Sequence, residues 1–307
     1  MDRFDAMRLF VRVAESGSFS AVARQMNLAR SAVTRQVAGL EALLGARLLA
    51  RTTRRLSLTS AGAAYLEKCR VILNLVEAAE TDLVEDRQIP RGPIRMSVPL
   101  SFGIRHLSPL LLEFASLYPE VALDTEYSDQ RSNLFEAGLD LTIRITRRLE
   151  PGDVARRISS SRMMVVAAPD YLARHGKPRH PADLVHHECL GYTGASTQKW
   201  DFIIDGQMQS FPVRGRLQAN NGDVLLFAAA SGFGIGYEPG FICADALAAG
   251  QVRQILADFP IPELGIYAVL PGNRLVPHRV RVLVDFLAAR LEVDPPWEAA
   301  KRRKTSA

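Results

Sequence analysis

Apolar positions near the start of the chain recur at helical spacing. Ala6, Leu9, Phe10 and Val13 predict an amphipathic helix over residues 4–15, ended by Ser16-Gly17. Ser18 is suited to cap the next helix, because its hydroxyl can accept a free backbone N–H. That helix is short, residues 19–26, and Asn27 suits a left-handed residue leading into a tight turn. A third helix is predicted over residues 30–44, with Val33, Val37, Leu40 and Leu44 along one face. Its opposite face carries Ser31, Thr34, Arg35 and Ala38. After Gly45, Leu56 and Leu58 alternate with Ser57 and Thr59, which predicts two short strands with Arg51 to Arg55 at their tip.

Further along, Tyr65, Cys69, Ile72, Val76, Ala79 and Leu83 are spaced alternately four and three apart. That period is a coiled-coil seam, and so narrow a stripe needs a partner helix, unless the helix packs on its own chain. Pro90-Arg91-Gly92-Pro93 then breaks the chain into a hinge. Beyond it Ile94, Met96 and Val98 open a strand, followed by a helix carrying Leu107, Leu110, Leu111 and Phe114. Strands over 121–127 and 139–145, with a helix between, continue a βαβ rhythm that predicts a parallel sheet. A second such set begins near Met163 and includes a helix over 224–230; the chain returns through a strand at 266–270 and closes with a helix over 277–291.

Charge sharpens the picture. Residues 1–60 hold ten arginines against four acids, while the whole chain carries only +5. A basic head on a near-neutral body is the asymmetry of a nucleic-acid-binding module joined to something else. An α-helix fits the DNA major groove, and short polar side chains near its start reach base edges and phosphates. Ser31, Thr34, Arg35, Arg30 and Ala38 are therefore the candidate recognition residues, and Arg51, Thr52, Arg54 and Arg55 on the wing the candidate phosphate contacts. Cys69, Cys189 and Cys243 are scattered, which argues for a reducing cytoplasm. The start, MDRFDAMRLF, has no apolar core of an export signal, and no run of eighteen apolar residues could span a membrane.

Through residues 2–66 the sequence resembles the LysR-type transcriptional regulators, in the stretch FDAMRLFVRVAESGSFSAVARQMNLARSAVTRQVAGLEALLGARLLARTTRRLSLTSAG. The resemblance continues more weakly to residue 293 in RGPIRMSVP, LDLTIRI, VVAAPDYLARHGKPRHPADL, GFGIGYEP and VPHRVRVLVDFLAARL. It implies an N-terminal all-α winged helix-turn-helix with a long dimerisation helix, followed by a two-lobed α/β effector domain like the type 2 periplasmic binding proteins. The implied domains are the head at 1–59, linker helix at 60–89, hinge at 90–93 and effector domain at 94–293. Lobe I would take about 94–161 and 267–293, and lobe II about 162–266; the basic tail 294–307, with Lys301 to Lys304, would be disordered. The implied partners are double-stranded DNA, a small-molecule effector and a second copy, with a tetramer built from dimers. The family usually places Ser or Thr where Ala29 stands; either Asn27 caps the recognition helix instead, or the helix starts at Ser31.

Candidate effector contacts follow from position. Ser101, Phe102 and Gly103 lie where a strand meets a helix start, an anion site by its free N–H groups. Ser128 follows the next strand, and Arg144 would offer a guanidinium to a carboxylate. The family pattern adds Thr193, Asn221 and Ile235. An organic or aromatic acid effector is expected on these grounds. Gly232 to Gly236 follows a helix rather than a strand, so it lacks the context of a dinucleotide loop. His186, His187 and Cys189 have no fourth ligand at useful spacing. No catalytic signature stands out, and no cofactor is called for. An enzyme or solute-binding protein with a fused head, and an architectural DNA binder without ligand, are the competing readings.

Overall fold

The computed structural model describes residues 2–51, 56–81, 89–130, 138–193, 198–271, 276–292, 295 and 297–298. For Arg51, Asn74 and residues 77–81 only the backbone is described. The chain divides into two compact units, one built on residues up to Pro90 and one on most of the chain from Arg91 onward.

In the first unit, α1 (Arg3–Ser16), α2 (Phe19–Gln25) and α3 (Arg30–Leu44) begin and end on local signals. Asp2 accepts a hydrogen bond from the Phe4 N–H at 2.8 Å, and Ser18 from Ala21 at 3.2 Å. Gly17 and Gly45 close α1 and α3 at φ 63° and 64°, the left-handed geometry that costs glycine least. Asn27 is left-handed as its position suggests, at φ 53°. The apolar faces meet in one core where Phe10, Val13, Val22, Val33, Val37 and Leu40 are fully covered. Each such burial is worth roughly 1.5–3 kcal/mol, which holds three short helices together. β1 (Leu49–Arg51) pairs antiparallel with β2 (Leu56–Leu58) to make the stem of the wing. α4 (Ser60–Thr81) follows.

The second unit opens with β3 (Gly92–Val98), α5 (Leu100–Phe102), a π turn at Gly103–Leu107, α6 (Ser108–Leu117), β4 (Val121–Tyr127), β5 (Leu141–Thr146) and β6 (Val154–Ser161). It passes into β7 (Met163–Ala167), α7 (Pro169–His175), a 3-10 turn at Pro181–His186, β8 (Gly191–Tyr192), β9 (Lys199–Ile204) and β10 (Gln207–Pro212). It ends with β11 (Gln218–Ala219), α8 (Gly222–Ala230), β12 (Gly236–Pro239), α9 (Gly240–Ala248), β13 (Arg253–Ile255), β14 (Leu264–Leu270) and α10 (His278–Leu291). The first lobe is a five-stranded sheet in the order β4-β3-β5-β14-β6. β3 is parallel to β4 and β5, and the returning β14 is antiparallel to β5 and β6.

The second lobe does not repeat the parallel pattern expected of it. Its sheet, β12-β7-β13, pairs antiparallel on both sides of β7. Among the described residues, parallel pairing there is confined to β8 with β11 and to the Cys189–Ile235 bridge. β6 reads as polar, VARRISSS, yet holds a sheet edge, because Ile158 and Ser161 are fully buried. The chain leaves the first sheet at Ser161, enters the second at Met163 and returns between Ile255 and Leu264. The helix expected between β4 and β5 falls largely on residues 131–137, outside the described residues. Among the described residues, no helix is long and apolar enough to cross a membrane.

The expectation of a disordered tail needs correction at Trp297. Trp297 is 3 % exposed, and its indole N–H donates to the Ser160 carbonyl at 3.1 Å. Its ring lies against Phe102, His106 and Phe241, with centroids 5.4, 4.7 and 6.2 Å away. Apolar area and a satisfied N–H outweigh the basic residues that follow. Residues 299–307 lie outside the described residues.

Candidate DNA-binding face and interlobe site

α3 presents the predicted stripe to solvent. Arg30, Ser31, Arg35 and Ala38 are exposed and Thr34 is half-buried, while Val33, Val37 and Leu40 anchor the opposite face. The helix starts at Arg30, with Ala29 in the N-cap position and no side chain bonded there. Neither Asn27 nor a later start at Ser31 supplies the missing cap. Arg24, Arg30 and Arg35 have no ion pair to a described residue, whereas Arg70 is held by Glu15 and Glu67 at 2.7 and 2.5 Å. Unpaired guanidinium groups on an exposed face are free to take phosphates. Arg51 ends β1 with its side chain outside the described residues, as are Thr52, Arg54 and Arg55.

Residues that position this face escaped the sequence pattern. Glu41, on α3, accepts hydrogen bonds from the Leu48 and Leu49 N–H groups at 2.8 and 3.0 Å. The wing stem is thereby tied to α3. Thr59 Oγ1 donates to the Arg47 carbonyl at 2.7 Å and accepts from Gly62 N–H at 2.9 Å, fastening the start of α4 to the segment that leads into β1. Gly62 is required at this contact, since a Cβ there would lie 1.9 Å from the Leu48 oxygen.

The seam expected along α4 is partly spent on its own chain. Cys69 is fully buried in the core of the first unit, and Tyr65 and Ile72 are half-buried against that core. The Phe10 and Tyr65 rings are 6.0 Å apart. Burial pushes the Cys69 thiol up to about 11, so it acts as a small apolar side chain. Cys69 is thereby withdrawn from any interface. Val76 is half-buried, and the Ala79 side chain and all of Leu83 lie outside the described residues.

In the second unit, Ser101 and Asn221 come together across the two lobes. The Asn221 side chain caps α8 by accepting from Asp223 and Val224 N–H at 3.1 and 3.3 Å. Its Nδ2 donates to Ser101 Oγ at 3.2 Å and to Asp129 Oδ2 at 3.4 Å. Arg105 crosses nearby, with Nη2 2.6 Å from Asp223 and Nη1 3.5 Å from Asp245. Arg147 reaches Asp201 at 2.5 Å and the Tyr237 hydroxyl at 2.7 Å.

Several predicted contacts are placed otherwise than expected. The helix start at Ser101 to Gly103 already holds an anion, because Asp129 Oδ1 accepts from the Leu100 N–H at 3.0 Å. Arg144 is bound to Asp153 at 3.0 and 3.2 Å, so its charge is satisfied within the first lobe. Phe102 is fully buried in the aromatic cluster around His106, Phe241 and Trp297. Ile235 is fully buried in the core of the second lobe, beside Cys189 and Tyr171. Gly103 is buried with the Tyr127 ring 2.8 Å from where a Cβ would sit. Ser128 is half-buried and accepts from Gln130 N–H at 3.1 Å, and Thr193 is exposed beside β11. Gly232 to Gly236 is the turn from α8 into β12. His187 shares a hydrogen bond with the Tyr171 hydroxyl at 3.3 Å, while burial pushes the Cys189 thiol up to about 12.

The comparisons with known proteins fit both units. Residues 4–63 match the family described as bacterial regulatory helix-turn-helix protein, lysR family, and residues 87–292 match the LysR substrate binding domain. The chain belongs to the LysR family of transcriptional regulators. A relative named only as an HTH-type transcriptional regulator, from Xanthomonas campestris pv. campestris, is 37 % identical over 95 % of this chain and 87 % of its own length. The solved structure of CrgA, a LysR-type regulator from Neisseria meningitidis, is 35 % identical, with TM-score 0.60 over 93 % of this chain and 98 % of that one. That of full-length AphB from Vibrio cholerae is 28 % identical, with TM-score 0.58 over 94 % and 99 %. This LysR-type regulator is thus a DNA-binding transcription factor with an effector-binding domain, and its relatives are transcriptional regulators rather than enzymes.

Proposed function

We propose that the chain acts in the cytoplasm as a dimeric, sequence-specific regulator whose DNA binding responds to a small molecule held between the lobes. The exposed face of α3 carries the reading, with short side chains flanked by arginines that have no acid to neutralise them among the described residues. Arg35 and Thr34 touch bases, Ser31 a base or a phosphate, and Ala38 allows close approach. Arg30 and the wing residues Arg51, Thr52, Arg54 and Arg55 hold phosphates. The head spans 1–59, the linker helix 60–89, the hinge 90–93 and the effector domain 94–293. Val76, Ala79 and Leu83, in the second half of the seam, meet a second copy, and two dimers build a tetramer.

The effector lies against Ser101 and Asn221, where the lobes approach. Binding that favours one arrangement of the lobes shifts the population toward it. An organic or aromatic acid loses both observations that pointed to it, because Asp129 and Asp153 occupy the two anion-binding positions.

A footprint on the DNA just upstream of this protein's own gene, at physiological salt, tests the reading. An inverted repeat protected by the native protein and lost in Arg35→Ala is the expected result. Diffuse protection that vanishes with modest salt would replace it with backbone binding alone.

A further inference from the structure

Behind the Asn221–Ser101 contact lies a group with no evident structural purpose. Glu238, on β12, is 3 % exposed, and its Oε1 has no hydrogen-bond partner among the described residues. The chain makes room for this carboxyl. At Gly222, the residue after Asn221, a Cβ would meet Glu238 Oε2 at 2.8 Å and Ile242 Cδ1 at 2.4 Å. An unpartnered buried acid costs stability that leucine or methionine of similar size would not, so its presence asks for a ligand.

The surroundings say which ligand. Asp223 on α8, Tyr192 on β8 and Cys243 on α9 feel or impose charge at Glu238, and each is an acid or neutral. The nearby cation, Arg105, is engaged by Asp223 and Asp245. Asp129 accepts from Asn221 Nδ2 and, like Glu238, acts on the Tyr192 hydroxyl, whose proton burial already makes harder to remove. A carboxylate entering here would meet the charges of Asp223 and Asp129, with Arg105 already engaged.

We propose that Glu238 and Asp129 form a subsite for a ligand bearing a protonated primary amine, bound where the lobes meet. This rests on the effector reading above and names the chemical class of the effector. Burial, and then the charge of Asp223, hold the Glu238 carboxyl well above the usual carboxylate range, which favours the protonated acid in the free protein. When an ammonium group arrives, Glu238 loses its proton to the buffer and the carboxylate pairs with the ammonium, which keeps its own protons. Binding thereby releases protons, up to one per site, whereas a neutral ligand accepting a hydrogen bond from the acid releases none.

Calorimetry on the full-length protein, in two buffers of different ionisation enthalpy, reads both affinity and proton release. The probes are putrescine, tyramine and agmatine, with benzoate and succinate as the acidic comparison. We expect amine binding with proton release, weakened at least tenfold in Glu238→Gln and in Asp129→Asn but unchanged in the remote Asp170→Asn. Glu238→Leu guards against a folding artefact: it should melt at or above the native temperature and bind no amine. The proposal is overturned if no amine binds, if Glu238→Gln binds amines as tightly as the native chain, or if amines bind without proton release. Should benzoate or succinate bind and alter the footprint instead, the amine subsite falls while the effector-controlled regulator stands. Loss of the footprint itself would sink the regulator reading separately.

Discussion

Replacing Ala29 by serine should strengthen the recognition helix. Ala29 sits at φ −68° and ψ 138°, the extended geometry of an N-cap, and its carbonyl accepts from Ala32 and Val33 at 2.9 and 3.2 Å. The N–H groups of Arg30 and Ser31 have no partner among the described residues. Ser18 shows in the same head what a hydroxyl does at such a position, accepting from Ala21 at 3.2 Å. Because the backbone at 29 is already extended, the serine needs no rearrangement. A side-chain cap is worth about 0.5–2 kcal/mol, typically about 1. One kcal/mol is about a fivefold change in a local opening equilibrium. Hydrogen exchange on the full-length protein should therefore show the first turn of α3 about fivefold better protected, with α10 unchanged. Unaltered or faster exchange in α3 would refute the capping argument. DNA affinity measured on the same variant separates stability from recognition. If protection rises while affinity falls, the free N–H groups of the native helix serve a DNA phosphate.

Other expectations follow from particular contacts. Arg35→Ala should relax sequence choice by about 1–3 kcal/mol at one base pair; equal loss on every sequence would make Arg35 a phosphate contact. Gly62→Ala drives a Cβ into the Leu48 oxygen, so the wing stem must shift, at a cost of about 1–3 kcal/mol in a denaturant titration. Trp297→Ala should cost about 3–5 kcal/mol in the same titration, since it empties a buried aromatic site and frees the Ser160 carbonyl. For Glu238, whose folded-state proton affinity is raised, the native chain should lose stability relative to Glu238→Gln as pH rises from the ordinary carboxylate range toward its folded value. A difference between the two melting curves that stays flat with pH would count against a protonated Glu238.

The head was legible in the sequence because its signals are local. Periodicity places the apolar faces, Ser18 and Gly17 mark helix boundaries, and the predicted third helix coincides with Arg30–Leu44. The strands β3, β4 and β14 were legible for the same reason. The β9–β10 hairpin carries a local signal as well, since its turn is Asp205-Gly206, with φ 52° and 75°. β6 was missed because its side chains are polar, and only a neighbouring strand and α10 give it a buried side: Ser159 Oγ donates to the Leu291 carbonyl at 2.8 Å.

The chemistry of the site was decided by tertiary structure. A sequence shows that Arg144 is a cation and that a helix starts near Ser101, but not that Asp153 and Asp129 reach them first. It shows a stripe on α4 but not that Cys69 faces its own chain. It shows an acid at 238 but not that the strand buries it with its Oε1 unpartnered among the described residues. Periodicity tells which face of an element is apolar; what covers that face, and which charge meets which, depends on residues brought together from far along the chain. Asn221 and Ser101 are 120 residues apart, and only the packed fold makes them neighbours.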